Sequence, residues 1–308
     1  MIKIEHLTKY YGQKLAVDDI SFSVEPGEVV GFLGPNGAGK STTMNMLTGY
    51  LSSTSGKCSI DGIDILENPS EAKRLIGFLP EQPPLYYDMT TREYLSFIYD
   101  LKRCTLNRRE HIDEIIDIMG LVEMEKRLIN QLSKGFKQRV GIAGALVSNP
   151  KILIFDEPTI GLDPRQIIEI RDLIRTLSKD HTIILSTHIL PEVQAVCDRI
   201  LIIDRGKLIA DEKTENINSL AAENRKFTIR ILGPKGEVST FLRKTEGAAK
   251  VEFLSSGSDG SSLFMVQCKK GFDLRRTLFY ALAEKRWPIL ELSNVGASLE
   301  DVFIALTK

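Results

Sequence analysis

From Ile2 to about Asp211, short apolar and β-branched runs alternate with stretches of helical spacing, the pattern of a parallel α/β architecture. Val29–Leu33, Ile152–Asp156 and Thr182–Ser186 are nearly continuous apolar or β-branched runs, as expected of strands covered on both faces. The first strands alternate instead: Ile2, Ile4 and Leu7, then Ile20, Phe22 and Val24, predict a half-buried antiparallel piece beside the main sheet. Between Gln82 and Leu132 strand character stops. Thr91–Lys102 and Arg109–Gly120 there carry apolar residues at three- and four-residue spacing on charged helices, which predicts a helical insertion over about residues 82–134.

A polar stretch, residues 213–225, separates this first unit (residues 1–212) from a second (residues 226–308) and is expected to be a linker. In the second unit Lys226–Leu232, Ala249–Ser255, Leu263–Cys268 and Pro288–Leu292 predict strands. Helical stretches fall at Glu237–Arg243, Asp273–Glu284 and from Ser298. The order βαββαβ plus a helix predicts a small α+β, ferredoxin-like sandwich.

Charge and cysteine content narrow the function. Across 308 residues, 40 Lys and Arg balance 41 Asp and Glu, so there is no electrostatic case for a nucleic-acid partner. Cys58, Cys104, Cys197 and Cys268 lie far apart, which suggests neither a zinc site nor a disulfide framework and fits the reducing cytosol. The N-terminus does not read as a signal peptide, and no apolar run approaches the ~20 residues needed to cross a bilayer. Any crossing is therefore expected of another chain.

Gly34-Pro35-Asn36-Gly37-Ala38-Gly39-Lys40-Ser41 matches GxxxxGK[ST], directly after strand Val29–Leu33 and before a helix expected to start near Thr42. The glycines let the backbone curl so that successive N–H groups face phosphate oxygens, and the helix N-terminus adds positive potential. Lys40 then reaches the β- and γ-phosphates of ATP, and Ser41 offers an oxygen to Mg²⁺. Lys151–Glu157 is an apolar strand ending in two carboxylates. Asp156 is placed for Mg²⁺, and Glu157 to orient or deprotonate the attacking water. A pair of strand-end acids solvated in a loop is the plainer alternative. His188 follows the strand Thr182–Ser186, and strand ends on one edge of a parallel sheet converge on one crevice, within reach of a γ-phosphate. A lone histidine is also a common structural residue, and His6, His111 and His181 are assigned to that class.

The segment Leu132-Ser133-Lys134-Gly135-Phe136-Lys137-Gln138-Arg139 completes a series: Tyr11, the P-loop, Gln82, Ser133-x-Gly135, Asp156–Glu157, Gly161-Leu162-Asp163 and His188. In this order, over about two hundred residues, the chain resembles the ATP-binding subunits of ATP-binding cassette (ABC) transporters. The resemblance implies that Tyr11 stacks on adenine, although an aromatic beside Gly12 could equally pack a turn. It implies that Gln82 touches Mg²⁺ or water and reports nucleotide state to a permease, whereas a loop glutamine alone is usually just solvated. It implies two cassettes paired head to tail, each ATP lying between the P-loop of one (Gly34 to Thr42) and Ser133 and Gly135 of the other, with Asp163 crossing the interface. Catalytic work would then fall to Glu157, His188, Lys40 and Gln82, with Ser41, Gln82 and Asp156 at the metal.

Where the commonest signature reads Leu-Ser-Gly-Gly-Gln, this chain has Lys134 and Phe136, while the anion-binding serine and glycine remain. The signature, Leu79–Pro83 and the closing Ser298–Phe303 resemble single-cassette subunits that power a separate permease, a branch including drug, polysaccharide and sodium exporters and gliding-motility components. That implies an ATPase exporter subunit, peripheral on the cytoplasmic face of the membrane, with a homodimer as the economical arrangement. Residues Pro83–Lys102 would receive the permease's coupling helix, or Tyr86, Tyr87 and Tyr94 pack the insertion's own core. A non-transport ABC ATPase acting on ribosomes or DNA is the alternative, disfavoured by the single cassette and the lack of heptads or a basic arm.

Overall fold

A computed structural model describes residues 1–217, 226–269 and 271–295 of the chain. It divides into two compact units between Thr214 and Glu215. In the first, β1 (Ile2–Tyr11), β2 (Lys14–Val24), β4 (Ser55–Ile60) and β5 (Ile63–Asp64) form an antiparallel sheet in the order β2-β1-β4-β5. Beside it stands a six-stranded sheet, β10-β9-β3-β8-β7-β6. Its members are β3 (Val29–Leu33), β6 (Ile76–Leu79), β7 (Ile152–Asp156), β8 (Thr182–Thr187), β9 (Arg199–Asp204) and β10 (Lys207–Lys213). Five strands run parallel and β10 pairs antiparallel with β9. Every residue of β3, β7 and β8 is buried, which is why these runs lack polar alternation.

The helix α1 (Lys40–Leu47) starts two residues before Thr42, so Lys40 and Ser41 already belong to its first turn. Met44, Met46 and Leu47 pack with Phe22, Phe32, Ile154 and Ile184 into one core that fills the space between the two sheets. The short α2 (Pro69–Arg74) leads into β6. The insertion consists of α3 (Thr91–Leu101), α4 (Arg108–Ile118) and the start of α5 (Lys134–Leu146). Thr90 and Glu93 close a capping box on α3, the Glu93 N–H donating to Thr90 Oγ1 at 3.2 Å and the Thr90 N–H to Glu93 Oε2 at 2.8 Å. Helix α5 begins at Lys134, directly after Ser133, which puts the signature at a helix N-terminus. Gly77 anchors this region: a Cβ there would lie 2.3 Å from the Ala145 carbonyl oxygen, so only glycine lets β6 and α5 approach so closely. After β7 come α6 (Pro164–Leu177) and α7 (Leu190–Val196).

The second unit comprises β11 (Lys226–Leu232), α8 (Lys235–Lys244), β12 (Ala248–Ser256), β13 (Ser261–Cys268), α9 (Leu274–Glu284) and β14 (Ile289–Val295). Its sheet order, β12-β13-β11-β14, all antiparallel, is the ferredoxin-like arrangement. Phe227, Ile229, Phe264 and Val266 face Val238, Leu242, Leu278 and Leu282 in a separate core. The helix expected from Ser298, the segment Ser298–Phe303 and most of the expected linker lie outside the described residues.

Candidate nucleotide site

The loop between β3 and α1 curls through Gly37 (φ 79°) and Gly39 (φ 111°), conformations that an L side chain resists. At Gly39 a Cβ would also meet the Ala16 carbonyl oxygen at 2.7 Å. Above the loop lies a cavity of about 840 Å³. It brings together Asn36, Gly37, Gly39, Lys40, Ser41 and Thr42 with Tyr11, Glu157 and His188. Gly34, Pro35 and Ala38 complete the loop around it: the Gly34 and Pro35 carbonyls accept from Lys40 Nζ at 2.9 and 3.3 Å.

Lys40 and Glu157 are only 6% and 5% exposed, and Lys40 Nζ stands 3.2 Å from Glu157 Oε1. The other carboxylate oxygen, Oε2, lies 2.9 Å from His188 Nδ1. Glu157 therefore sits between an ammonium and an imidazole. Its backbone is in the left-handed region (φ 49°), a conformation worth about 1–3 kcal/mol of strain in a side-chain-bearing residue. The strain is held by β8: the Glu157 N–H donates to both the carbonyl and the hydroxyl of Ser186, each at 3.1 Å. The Ser186 hydroxyl in turn donates to Asp156 Oδ1, so one serine orients both acids. Asp156 is buried at the end of β7 and is not among the residues that line this cavity.

Among the described residues no cluster of three or more His, Cys, Asp or Glu could hold a metal. The oxygen donors Ser41 and Asp156 fit Mg²⁺ nonetheless, because that ion is usually bound by one or two protein oxygens together with substrate phosphates.

Other expected residues stand elsewhere. Gln82 lines a neighbouring cavity of about 580 Å³ with Lys134, Lys137, Gln138 and Tyr87. The residue from this loop that faces the P-loop cavity is Glu81, one position earlier, which lines both. The sequence reading also missed Lys14 and Arg205, at the rim beside Tyr11. Tyr11 itself is half exposed at this rim.

Ser133 caps α5, its hydroxyl accepting the Phe136 N–H at 3.4 Å. With Gly135, Phe136 and Arg139 it lines a third cavity of about 230 Å³ that shares no residue with the P-loop cavity. Lys134 is not part of that cavity: its Nζ lies over Gly161, at 2.0 Å from where a Cβ on that glycine would stand. Asp163 caps α6, its Oδ1 accepting the N–H groups of Arg165 (3.0 Å) and Gln166 (2.9 Å). Tyr94 is buried under α5 and its phenol is pushed up to about 12 by burial, while Tyr86 packs on Phe97 at 5.1 Å between ring centres. Tyr86 and Tyr87 each keep about half their surface exposed.

The ABC transporter family model matches residues 17–160. The chain is 42% identical over 308 residues to the bacitracin transport ATP-binding protein BcrA of Bacillus licheniformis, covering 99% of this chain and 97% of that one. It is 38% identical over 224 residues to the lantibiotic transport ATP-binding protein SrtF of Streptococcus pyogenes, covering 71% of this chain and 95% of that one. Among solved structures it resembles the dimeric post-hydrolysis state of the ATP-binding cassette MJ0796 bound to ADP and Pi, at TM-score 0.63 and 29% identity, over 70% of this chain and 99% of that one. It also resembles cbiO1 of Clostridium perfringens, part of the ABC transporter complex cbiONQ, at TM-score 0.65 and 30% identity, over 71% and 90% of the two chains. The chain belongs to the ABC transporter family, as one of its ATP-binding, ATP-hydrolysing subunits.

Proposed function

We propose that this chain powers an exporter of peptide antibiotics, working as a head-to-tail homodimer beneath a separate polytopic permease on the cytoplasmic face of the membrane. The observation that carries the pairing is the separation of two half-sites. Lys40, Glu157 and His188 face one cavity and Ser133 and Gly135 another, with no residue in common. Neither half surrounds a γ-phosphate by itself, and a two-fold related second chain supplies each with its complement. Similarity along nearly the whole chain to a bacitracin transport subunit supports the substrate class. No helix among the described residues is long and apolar enough to cross a membrane, in keeping with a permease made by another chain.

In this reading Lys40 exchanges its contact with Glu157 for the β- and γ-phosphates of ATP. Glu157 Oε1 is thereby freed to accept a proton from the attacking water, while His188 stays on Oε2 and faces the γ-phosphate. Ser41 and Asp156 would hold Mg²⁺, which supplies charge neutralisation across the phosphate oxygens when bound. Ser133 and the N-terminus of α5 present a hydroxyl and N–H groups to the partner's γ-phosphate.

The test is a susceptibility assay in cells that lack their own bacitracin and lantibiotic exporters and carry this chain with its permease. Protection against either peptide class, lost with Glu157→Gln, is expected. Unchanged sensitivity to both classes, with the proteins assembled in the membrane, overturns the substrate assignment. ATP-dependent dimers of Glu157→Gln in sedimentation velocity check the pairing, and monomers at saturating ATP with the permease present refute it.

A further inference from the structure

Glu192, in the first turn of α7, carries a carboxylate that the chemistry above does not use. It is only 4% exposed, and among the described residues no basic side chain pairs with it. A carboxylate withdrawn from water needs strong hydrogen-bond donors or a cation to persist. Here the donors are two threonine hydroxyls converging on one oxygen. Thr159 Oγ1 donates to Glu192 Oε2 at 2.7 Å and Thr187 Oγ1 donates to the same atom at 2.8 Å.

The places of those threonines give the contact its meaning. Thr187 ends β8 and immediately precedes His188; its hydroxyl also accepts the Ile189 N–H at 3.1 Å, which fixes the turn bearing the imidazole. Thr159 lies two residues past Glu157, in a turn closed by the Ile160 N–H on the Glu157 carbonyl (3.2 Å) and the Leu162 N–H on the Thr159 carbonyl (3.2 Å). One oxygen atom thus joins the segment behind the acid to the segment before the histidine. Those two segments must stay in register for Glu157 Oε2 to remain 2.9 Å from His188 Nδ1. Glu157 stands at φ 49°, outside the basins an unconstrained glutamate prefers, so a turn released from Glu192 has a lower-energy backbone to relax toward. The same turn runs on to Asp163, which caps α6, so Glu192 ties the turn bearing the histidine to the segment that leads into that helix.

We infer that Glu192 is a positioning residue for ATP hydrolysis: through Thr159 and Thr187 it holds Glu157 and His188 in contact. The inference rests on the reading of Glu157 and His188 as the hydrolytic couple.

The experiment follows the histidine ring nitrogens by ¹⁵N NMR in the full chain, where four histidines give a readable spectrum and His6, His111 and His181 serve as internal references. ATPase turnover and ATP affinity are measured on the same samples. With Glu192→Ala the His188 signal is expected to move toward that of a free imidazole. Turnover falls about tenfold or more while the Kd for ATP stays within about twofold, because misplacement of catalytic groups erodes kcat rather than ground-state binding. Thr159→Val, which removes one hydroxyl without changing shape, reproduces the shift and serves if Glu192→Ala does not fold. Glu192→Gln, whose amide oxygen can accept both hydroxyls, keeps the signal and recovers turnover to within about threefold of the parent. An unmoved His188 signal in Glu192→Ala or Thr159→Val overturns the inference, as does Glu192→Gln as impaired as the alanine. Glu157→Gln is the control: if it retains turnover, the hydrolytic couple is refuted, and if it loses turnover while Glu192→Ala does not, the positioning role alone is refuted.

Discussion

Replacing Glu157 with glutamine separates two effects that the structure places on one carboxylate. Lys40 Nζ and Glu157 Oε1 are 3.2 Å apart, so at an effective dielectric of about 20 they attract each other by about 5 kcal/mol before desolvation. Withdrawing both groups from water cancels most of this, because a buried pair comes close to break-even against neutral groups of similar shape. ATP must still displace Glu157 from Lys40 and place its γ-phosphate beside a carboxylate. Glutamine removes the competing anion and the repulsion together, while the Gly34 and Pro35 carbonyls continue to hold the ammonium. A net gain of about 1 kcal/mol is expected, about fivefold tighter ATP binding in isothermal titration. Turnover should fall by about 10²–10⁴-fold, the usual worth of a positioned general base. Weaker ATP binding by Glu157→Gln would refute the view that Glu157 competes with ATP for Lys40, and turnover near that of the parent would refute its role as base.

Three further expectations follow from placement and burial. Glu81→Ala is expected to lower kcat by about tenfold or more, and Gln82→Ala by less than about threefold, since only Glu81 faces the P-loop cavity; the reverse ranking in a steady-state ATPase assay would return the role to the glutamine. Tyr11→Ala should weaken ATP binding by about 1–3 kcal/mol while Tyr11→Phe leaves it nearly intact; equal loss in both would mean that the hydroxyl, not the ring, makes the contact. Burial favours the protonated form of a thiol and pushes Cys58 up to about 12, so its thiolate population, and with it the alkylation rate, should climb about tenfold per pH unit between 8 and 10. At pH 8 the folded chain should react at Cys58 about 10³-fold more slowly than the denatured chain, whose rate levels off above its ordinary pKa of ~8.5; fast labelling read by peptide mass spectrometry would show that β4 opens readily.

What the sequence disclosed depends on how strongly each segment is constrained. Val29–Leu33 begins and ends with its apolar run, and Ile152–Asp156 runs one residue past its apolar run to a buried aspartate whose carboxylate accepts from Ser186, because a strand covered on both faces tolerates a polar side chain only where it has a partner. The P-loop is legible because its chemistry demands fixed residue types at fixed spacing. The role of Gln82 at the metal or its water is implied by the family resemblance, not by any pattern in the loop that carries it. The loop after β6 has neither helical nor strand periodicity to set its register, so the pattern does not say which of Glu81 and Gln82 lines the P-loop cavity. Helix α5 starts inside the signature, at Lys134, because Ser133 is a good N-cap, although Gly135 weakens the helical pattern there. The bonds of Ser186 and Glu192 were out of reach for another reason. Thr159 and Glu192 are 33 residues apart, and only the neighbouring positions of β7 and β8 bring them together.

The two half-sites have a genetic consequence. In a head-to-tail pair, a chain lacking Lys40 spoils the P-loop of one composite site, and a partner lacking Ser133 spoils the signature of that same site. The second site then combines an intact P-loop with an intact signature. Two alleles that are each inactive alone should therefore complement when co-expressed, leaving half of the sites sound in every mixed dimer, whereas two alleles both altered at Lys40 should never do so.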